Sequence, residues 1–358
     1  EYIEQAMNLL PPSGGRVVLM EGEYTISRYI EINAAGQIVL EGQGESTVIK
    51  GGFPIYSGFM IVPSSIRIKN LLLDEVSIVI GGCNFFIQDV KLKQAEFGIF
   101  GYNVSEFEIS HVIIDAINDS GISLNDVISG TVRNCRIDNV VIIVYFSKNI
   151  SISENVVTNG TDGILVYESE YITITNNALD GTSAWYGDGI EFDTVNYSSV
   201  IGNTINKPES HGILIQDGVN NTVTGNNINQ SGWDGVNLIN TNFSTVNGNV
   251  VSESAWGGIV LSNSDDNVIN SNTVIASSQY ENEAEDNISL HDSSRNNVQE
   301  NICRHGGGAN QPRYGIALWN VGCNKNIVTN NDLLDSGSLS SLYDNGTDTV
   351  TTAGNRLF

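Results

Sequence analysis

Between Ile152 and Leu261 the chain repeats one short phrase, and that period constrains the fold more than any other feature. In register the phrases read ISENVV…TDGILV, ITNNAL…GDGIEF, VIGNTI…SHGILI, VTGNNI…WDGVNL and VNGNVV…WGGIVL. An Asn recurs at 155, 177, 203, 226 and 249 and a Gly at 163, 189, 212, 235 and 258, with Gly steps of 26, 23, 23 and 23 residues. A fixed period of this size describes stacked units, each touching only its neighbours. After each Gly comes apolar, variable, apolar, as in Ile164-Leu165-Val166 and Val236-Asn237-Leu238. That is a short strand with one buried face. A second strand leads into each Asn, as in Val223-Thr224-Gly225-Asn226. Helical spacing is absent, while β-branched residues, Gly and Asn favour strands and turns. The expected fold is all-β: a parallel β-helix of roughly 11–12 coils, one domain over 1–358. A short helix within 1–15 caps it, coils fill 16–335, and 336–358 closes the C-terminal end. An unbroken Asn column fits inside such a stack, because amide side chains pair with one another from coil to coil.

These Asn- and Gly-marked repeats resemble the right-handed parallel β-helix superfamily, and specifically the repeats shared by carbohydrate-binding and sugar-hydrolysing proteins. The resemblance covers nearly the whole chain. It implies the handedness and a carbohydrate-active, secreted or cell-surface protein, and leaves the activity open because one β-helix hosts many functions.

Composition narrows the partners. Sixteen Lys and Arg stand against 41 Asp and Glu, a net charge of −25. This excess disfavours nucleic acid, anionic membranes and highly anionic polymers, and also suits solubility in salt. No apolar run reaches the length of a membrane span, and Glu1 opens without a signal-like segment, as expected of a mature or trimmed form. The oligomeric state, monomer or trimer, is open. Cys83, Cys135, Cys303 and Cys323 show no metal-ligand spacing; packing roles are expected, with a 303–323 disulfide the alternative.

Residues 1–12 read as a short amphipathic helix stopped by Pro11-Pro12. This opening is similar to the start of pectate-lyase-like proteins, where a helix covers the first coil; an open solenoid end is an exposed sheet edge. From Ile66 to Val144 the coils are more apolar, with Val90, Val112 and Cys135 in the Asn column. That half reads as scaffold.

The rhythm breaks in three places. The distance from Asn column to Gly column is 8 or 9 residues in four coils, but 12 for Asn177 to Gly189, 15 for Asn272 to Asn287 and 14 for Asn301 to Gly315. The lengthened turns share one edge of the solenoid. They carry Trp185-Tyr186, the run Ser277 to Glu283, and Arg304 to Arg313. They predict a groove walled at both ends, about 19 Å long at roughly 4.8 Å per coil.

Within that groove, Trp233 and Trp256 are neighbours one coil apart, the flat platform sugar faces use; covering the turn is the competing explanation. The position before the Gly column reads Asp162, Asp188, His211, Asp234, Gly257, Asp286 and Tyr314. Glu191 and Asp193 follow as outward residues of their strand. Asp188, Glu191, Asp193, His211 and Asp234 are therefore the candidate catalytic residues: carboxylates at this density can share a proton and supply both acid and base. Asp before Gly is also a favoured turn dipeptide, an explanation unavailable to Glu191 and Asp193. Trp185, Tyr186, Trp233, Trp256, Asp162, Asn237, His291, Arg313 and Tyr314 complete the expected substrate-binding set. No cofactor is required, although Glu281, Glu283 and Glu285 offer oxygens that suit Ca²⁺ as well as plain solvation.

The order Asp162-Gly163, Asp188-Gly189, His211-Gly212 is similar to the register of polygalacturonase-type glycoside hydrolases. The chain departs from it at Gly189, where that family has a second Asp, and at Asn237-Leu238-Ile239, where it has Arg-Ile-Lys. The missing basic pair removes the partner of a uronate. Alginate epimerases and related lyases share the Asp-Gly and His-Gly coils, with Arg313 and Tyr314 available for their chemistry, but the stretch Tyr186-Gly187-Asp188 is only a fragment of their motif. The leading expectation is a glycoside hydrolase of a neutral or weakly charged polysaccharide. The alternatives are a non-catalytic glycan-binding surface or tailspike-type protein, and a lyase or uronan C5-epimerase.

Overall fold

The computed structural model describes residues 2–32, 36–52, 54–57, 65–115, 117, 119–182, 187–351 and 353–357. The chain clusters into two compact units, Glu1–Gly160 and Thr161–Phe358. Each is a stack of parallel coils. In the first unit the outward ladder comprises six strands: Ile30–Ile32, Ile55–Ser57, Ile78–Gly81, Ile99–Val104, Ile122–Val127 and Ile142–Tyr145. In the second it comprises eight: Ile164–Tyr167, Ile190–Asp193, Ile213–Gln216, Val236–Ile239, Ile259–Ser262, Ile288–His291, Tyr314–Leu318 and Ser340–Asp344. The fold is thus an all-β parallel solenoid of about 14 turns, as its period requires. The count exceeds the expected 11–12 because the opening coils carry neither the Asn nor the Gly marker.

In the first unit the helix Tyr2–Asn8 buries Ile3 and Met7, one turn apart, and packs on Gly14–Val18 and Ile30–Ile32. Val90, Val112 and Cys135 are buried where later coils have Asn. Phe85 and Phe107 stack at 5.4 Å between centroids on adjacent coils. All four cysteines are free and buried, so 303 and 323 are not bridged.

In the second unit the Asn column forms a ladder inside the stack. The Asn203 backbone N–H and side-chain Nδ2 both donate to Asn226 Oδ1, at 2.9 and 3.0 Å. Asn226 repeats the pattern on Asn249, at 2.9 and 3.0 Å. Each Nδ2 also reaches a carbonyl one coil back, as Asn226 does to Val200 at 2.9 Å. The ladder therefore satisfies its own donors and acceptors, and these asparagines lie buried at no net cost in unmet bonds. Close stacking explains the Gly column too: a Cβ on Gly212 would sit 2.5 Å from the Gly235 carbonyl oxygen. At the lengthened coil Asn287 takes that place and donates to the carbonyls of Arg304 and Ser336, at 3.1 and 2.9 Å. The C-terminal stretch pairs Ser340–Asp344 in parallel on Tyr314–Leu318.

Candidate functional site

The outward strands set the site's columns. Pairing aligns Leu165, Glu191, Leu214, Asn237 and Val260 on successive coils. Glu191 and Asn237 are the polar members of an otherwise aliphatic row. Aliphatic neighbours above and below strip water from Glu191. Burial first, then the charges of Asp188, Asp162 and Asp193, push its carboxyl up to about 7, although the Tyr167 hydroxyl donates to Oε2 at 3.2 Å. At neutral pH about half of Glu191 retains its proton.

The column before the Gly does two jobs. Asp162 Oδ1 accepts the Asp188 N–H at 3.0 Å, Asp188 Oδ1 accepts the His211 N–H at 2.7 Å, and Asp234 Oδ1 accepts the Gly257 N–H at 2.7 Å. Asp286 Oδ1 likewise accepts the Tyr314 N–H at 3.2 Å. These aspartates bind the coils together. His211 breaks the sequence and gathers what surrounds it. Its Nδ1 lies 3.0 Å from Asp188 Oδ1, which as an acceptor fixes the ring proton there, and 3.1 Å from Ser210 Oγ. Its Nε2 faces Asn237 Nδ2 at 3.4 Å and Asp234 Oδ2 at 3.7 Å, while Asn237 Nδ2 donates to that same Asp234 oxygen at 2.8 Å. Burial lowers the His211 pKa, but the Asp188 hydrogen bond and the charges of Asp188, Asp234 and Glu191 outweigh it, and the net shift is upward. Burial raises Asp234 against the pull of His211, and burial also raises Asp162. Trp233 meets the His211 ring edge-on at 5.3 Å.

A groove of about 570 Å³ opens beside this cluster, lined by Trp233, Asp234, Asn237, Trp256, Glu285 and His291 among others. Trp233 and Trp256 are 39% and 41% exposed, so neither is merely core. Trp256 stacks on Tyr280 from the second lengthened turn at 5.8 Å. That turn and the third clasp each other: Asn310 Nδ2 donates to the Gln279 carbonyl at 2.8 Å and Glu283 N to that of Gln311 at 2.9 Å. Together they form one wall. The other expected wall, with Trp185 and Tyr186, lies outside the described residues.

The expected site residues thus separate into two groups. Asp162, Asp188, Glu191, His211, Asp234, Asn237 and Trp233 converge. Asp193, with Thr194 Oγ1 on its Oδ1 at 2.9 Å, is the next outward residue after Glu191, about 6.6 Å along the strand. Arg313, Tyr314 and His291 belong to a second cluster around the fully buried Asp286, which sequence reasoning left out of the site. Arg313 Nε and Trp319 Nε1 donate to Asp286 at 3.3 and 2.7 Å, and the guanidinium lies 4.1 Å from the Trp319 ring. His291 stacks on that indole at 6.3 Å between centroids. Trp319 and Tyr167 were missed because neither falls in a marked column. Glu285, pushed up to about 7 by burial and by Asp286 and Asp234, continues the Trp233–Trp256 column.

A family model described as the periplasmic copper-binding protein NosD matches residues 76–234, and one described as right-handed β-helix region matches 188–357. The side chains do not suit copper: the four thiols are buried, and among the described residues no three His, Cys, Asp or Glu gather to hold a metal ion. No helix among the described residues is long and apolar enough to cross a membrane. None of the curated protein sequences matches the chain. Among solved structures, tailspike protein 3 of bacteriophage CBA120 is 13% identical with TM-score 0.65, over 93% of this chain and 54% of the tailspike. The catalytic unit of a GH87 α-1,3-glucanase from Streptomyces thermodiastaticus is 12% identical with TM-score 0.60, over 99% and 65%. The periplasmic alginate epimerase AlgG is 12% identical with TM-score 0.50, over 94% and 85%. The chain therefore spans about half of the tailspike and two thirds of the glucanase unit. At these identities the likeness is one of fold. Coils, family match and neighbours agree on the fold: this chain is a right-handed parallel β-helix.

Proposed function

We propose that the chain acts on a polysaccharide laid along the outward face of its second unit, and that it hydrolyses the glycosidic bond there. The observation that carries this reading is Glu191: a half-buried acid set between Leu165 and Leu214, where no turn or strand requires one. Pushed up to about 7, it keeps a proton available for a leaving glycosidic oxygen. Asp193, its neighbour on the same face, is the partner carboxylate that activates water or attacks the sugar. Asp188 and Asp234 grip His211 from both sides, and this array holds the charge environment of Glu191. Trp233 and Trp256 offer faces for sugar rings. Neighbours in fold that include a glucanase, an alginate epimerase and a tailspike are consistent with a glycan partner. Action on an external polymer also fits a periplasmic, secreted or surface location.

A binding-only reading has one observation in its favour: Asp162, Asp188 and Asp234 each spend an oxygen on the next coil's N–H, a role that needs no chemistry. Release of reducing ends from a panel of neutral plant, algal and microbial polysaccharides separates the two. Glu191→Gln removes the acid without changing shape, and the expected loss is about 10²- to 10⁴-fold. Asp188→Asn keeps the acceptor for the His211 N–H, so the coil stays intact while the charge is lost, and activity drops with it. Binding without release in the wild type would leave the protein a glycan-binding module.

A further inference from the structure

The groove beyond His211 has a chemical character of its own. Its floor is acidic: Asp234, Glu285 and Asp292 line it, and none of the described lining residues is Lys or Arg. The nearby guanidinium, Arg313, is committed to the buried Asp286 and to the Trp319 ring. Burial lowers the pKa of His291, leaving its ring neutral. A second observation is independent of the carboxylates. Asn237 is only 7% exposed, its Nδ2 is turned to Asp234, and its Oδ1 has no hydrogen-bond partner among the described residues. A buried acceptor left unmet costs about 1–3 kcal/mol, which a ligand N–H would recover. The groove therefore offers acceptors and negative charge, and asks for donors and positive charge.

The acidity is also spread out. No three carboxylates, His or Cys among the described residues converge enough to hold one metal ion. Trp233, Trp256 and Glu285 instead occupy one column on three successive coils, roughly 4.8 Å apart. Two ring faces followed by an acid suit a polymer that carries both flat sugar rings and spaced cations.

Resting on the polysaccharide reading above, we propose that this groove is an amino-sugar subsite, which selects a glycan with free, protonated amines over its neutral or uronic-acid counterparts. An ammonium seated between Glu285 and Asp234 supplies three donors and offsets the repulsion between the two acids. At mildly acidic pH the sugar amine is charged while Glu285, pushed up to about 7, still holds its proton, so seating the ammonium there drives that proton into solvent.

Titration calorimetry on the full chain tests this with three probes of equal length: a β-1,4-glucosamine hexamer, its fully N-acetylated form and an oligogalacturonate. At mildly acidic pH the hexamer with free amines should bind roughly tenfold more tightly than the acetylated one, weaken with added salt and release protons. Glu285→Gln should cost roughly tenfold against the amine and leave the acetylated form unchanged; Asp292→Asn, at another acid lining the groove, should weaken the amine in the same sense. If the acetylated or uronate oligomer binds as tightly as the amine, the amino-sugar assignment falls while the polysaccharide reading stands. If none of the three binds, or if poly-lysine alone does, the amino-sugar assignment falls, and the wider polysaccharide panel decides the reading it rests on.

Discussion

At the residue scale, one substitution in a repeat produces the candidate chemistry. The column that reads Asp162, Asp188, then Asp234 serves the backbone, and His211 interrupts it, drawing Asp188, Asp234 and Asn237 around one imidazole. Glu191 titrates in that field. Its raised pKa means that the protonated acid is retained below about 7 and lost as pH rises through it, so hydrolysis should fall along an alkaline limb near pH 7. The Tyr167 hydroxyl pulls in the opposite direction by donating to the carboxylate. Tyr167→Phe should therefore move the limb to higher pH, and a pH–rate profile of wild type and variant checks it. A limb that stays in place would assign the titration to another group.

At the element scale, the coil is held by its side-chain ladder as much as by its strands. Removing Asn226 orphans the Asn203 N–H inside the stack, while the Asn203 Nδ2 keeps its bonds to the Ile174 and Ile201 carbonyls. With one buried donor left unmet, Asn226→Leu should cost about 1–3 kcal/mol in urea unfolding; a near-neutral result would mean that the strands alone carry the coil. This ladder was legible in the sequence because Asn is rare inside a core and recurred at one spacing. A second ladder was not. Ser198 N–H donates to Asn221, Asn221 N–H to Ser244 and Ser244 N–H to Asn267, at 3.0, 3.0 and 2.8 Å. There Ser and Asn alternate in one structural role, so no single letter marks it. Asp286 was read as a column member, but its partners come from other coils: Trp319 and Arg313 are 33 and 27 residues away, and spacing within a coil cannot reveal such meetings.

At the scale of the whole molecule, the period alone carried the fold class, and it failed only where the markers are missing. The opening strands Ile30–Ile32, Ile55–Ser57 and Ile78–Gly81 belong to coils that carry neither marker, which raised the count to about 14. The excess of 41 acidic over 16 basic residues reaches the groove, where it gains meaning from the indoles beside it. The central claim is that a glycan lies on the second unit with its scissile bond at Glu191. The structure of Glu191→Gln with a bound hexasaccharide substrate tests it most directly. The account predicts rings against Trp233 and Trp256, and a glycosidic oxygen within about 2.6–3.2 Å of the residue-191 side chain. A hexasaccharide ordered on any other face, with residue 191 untouched, would contradict it.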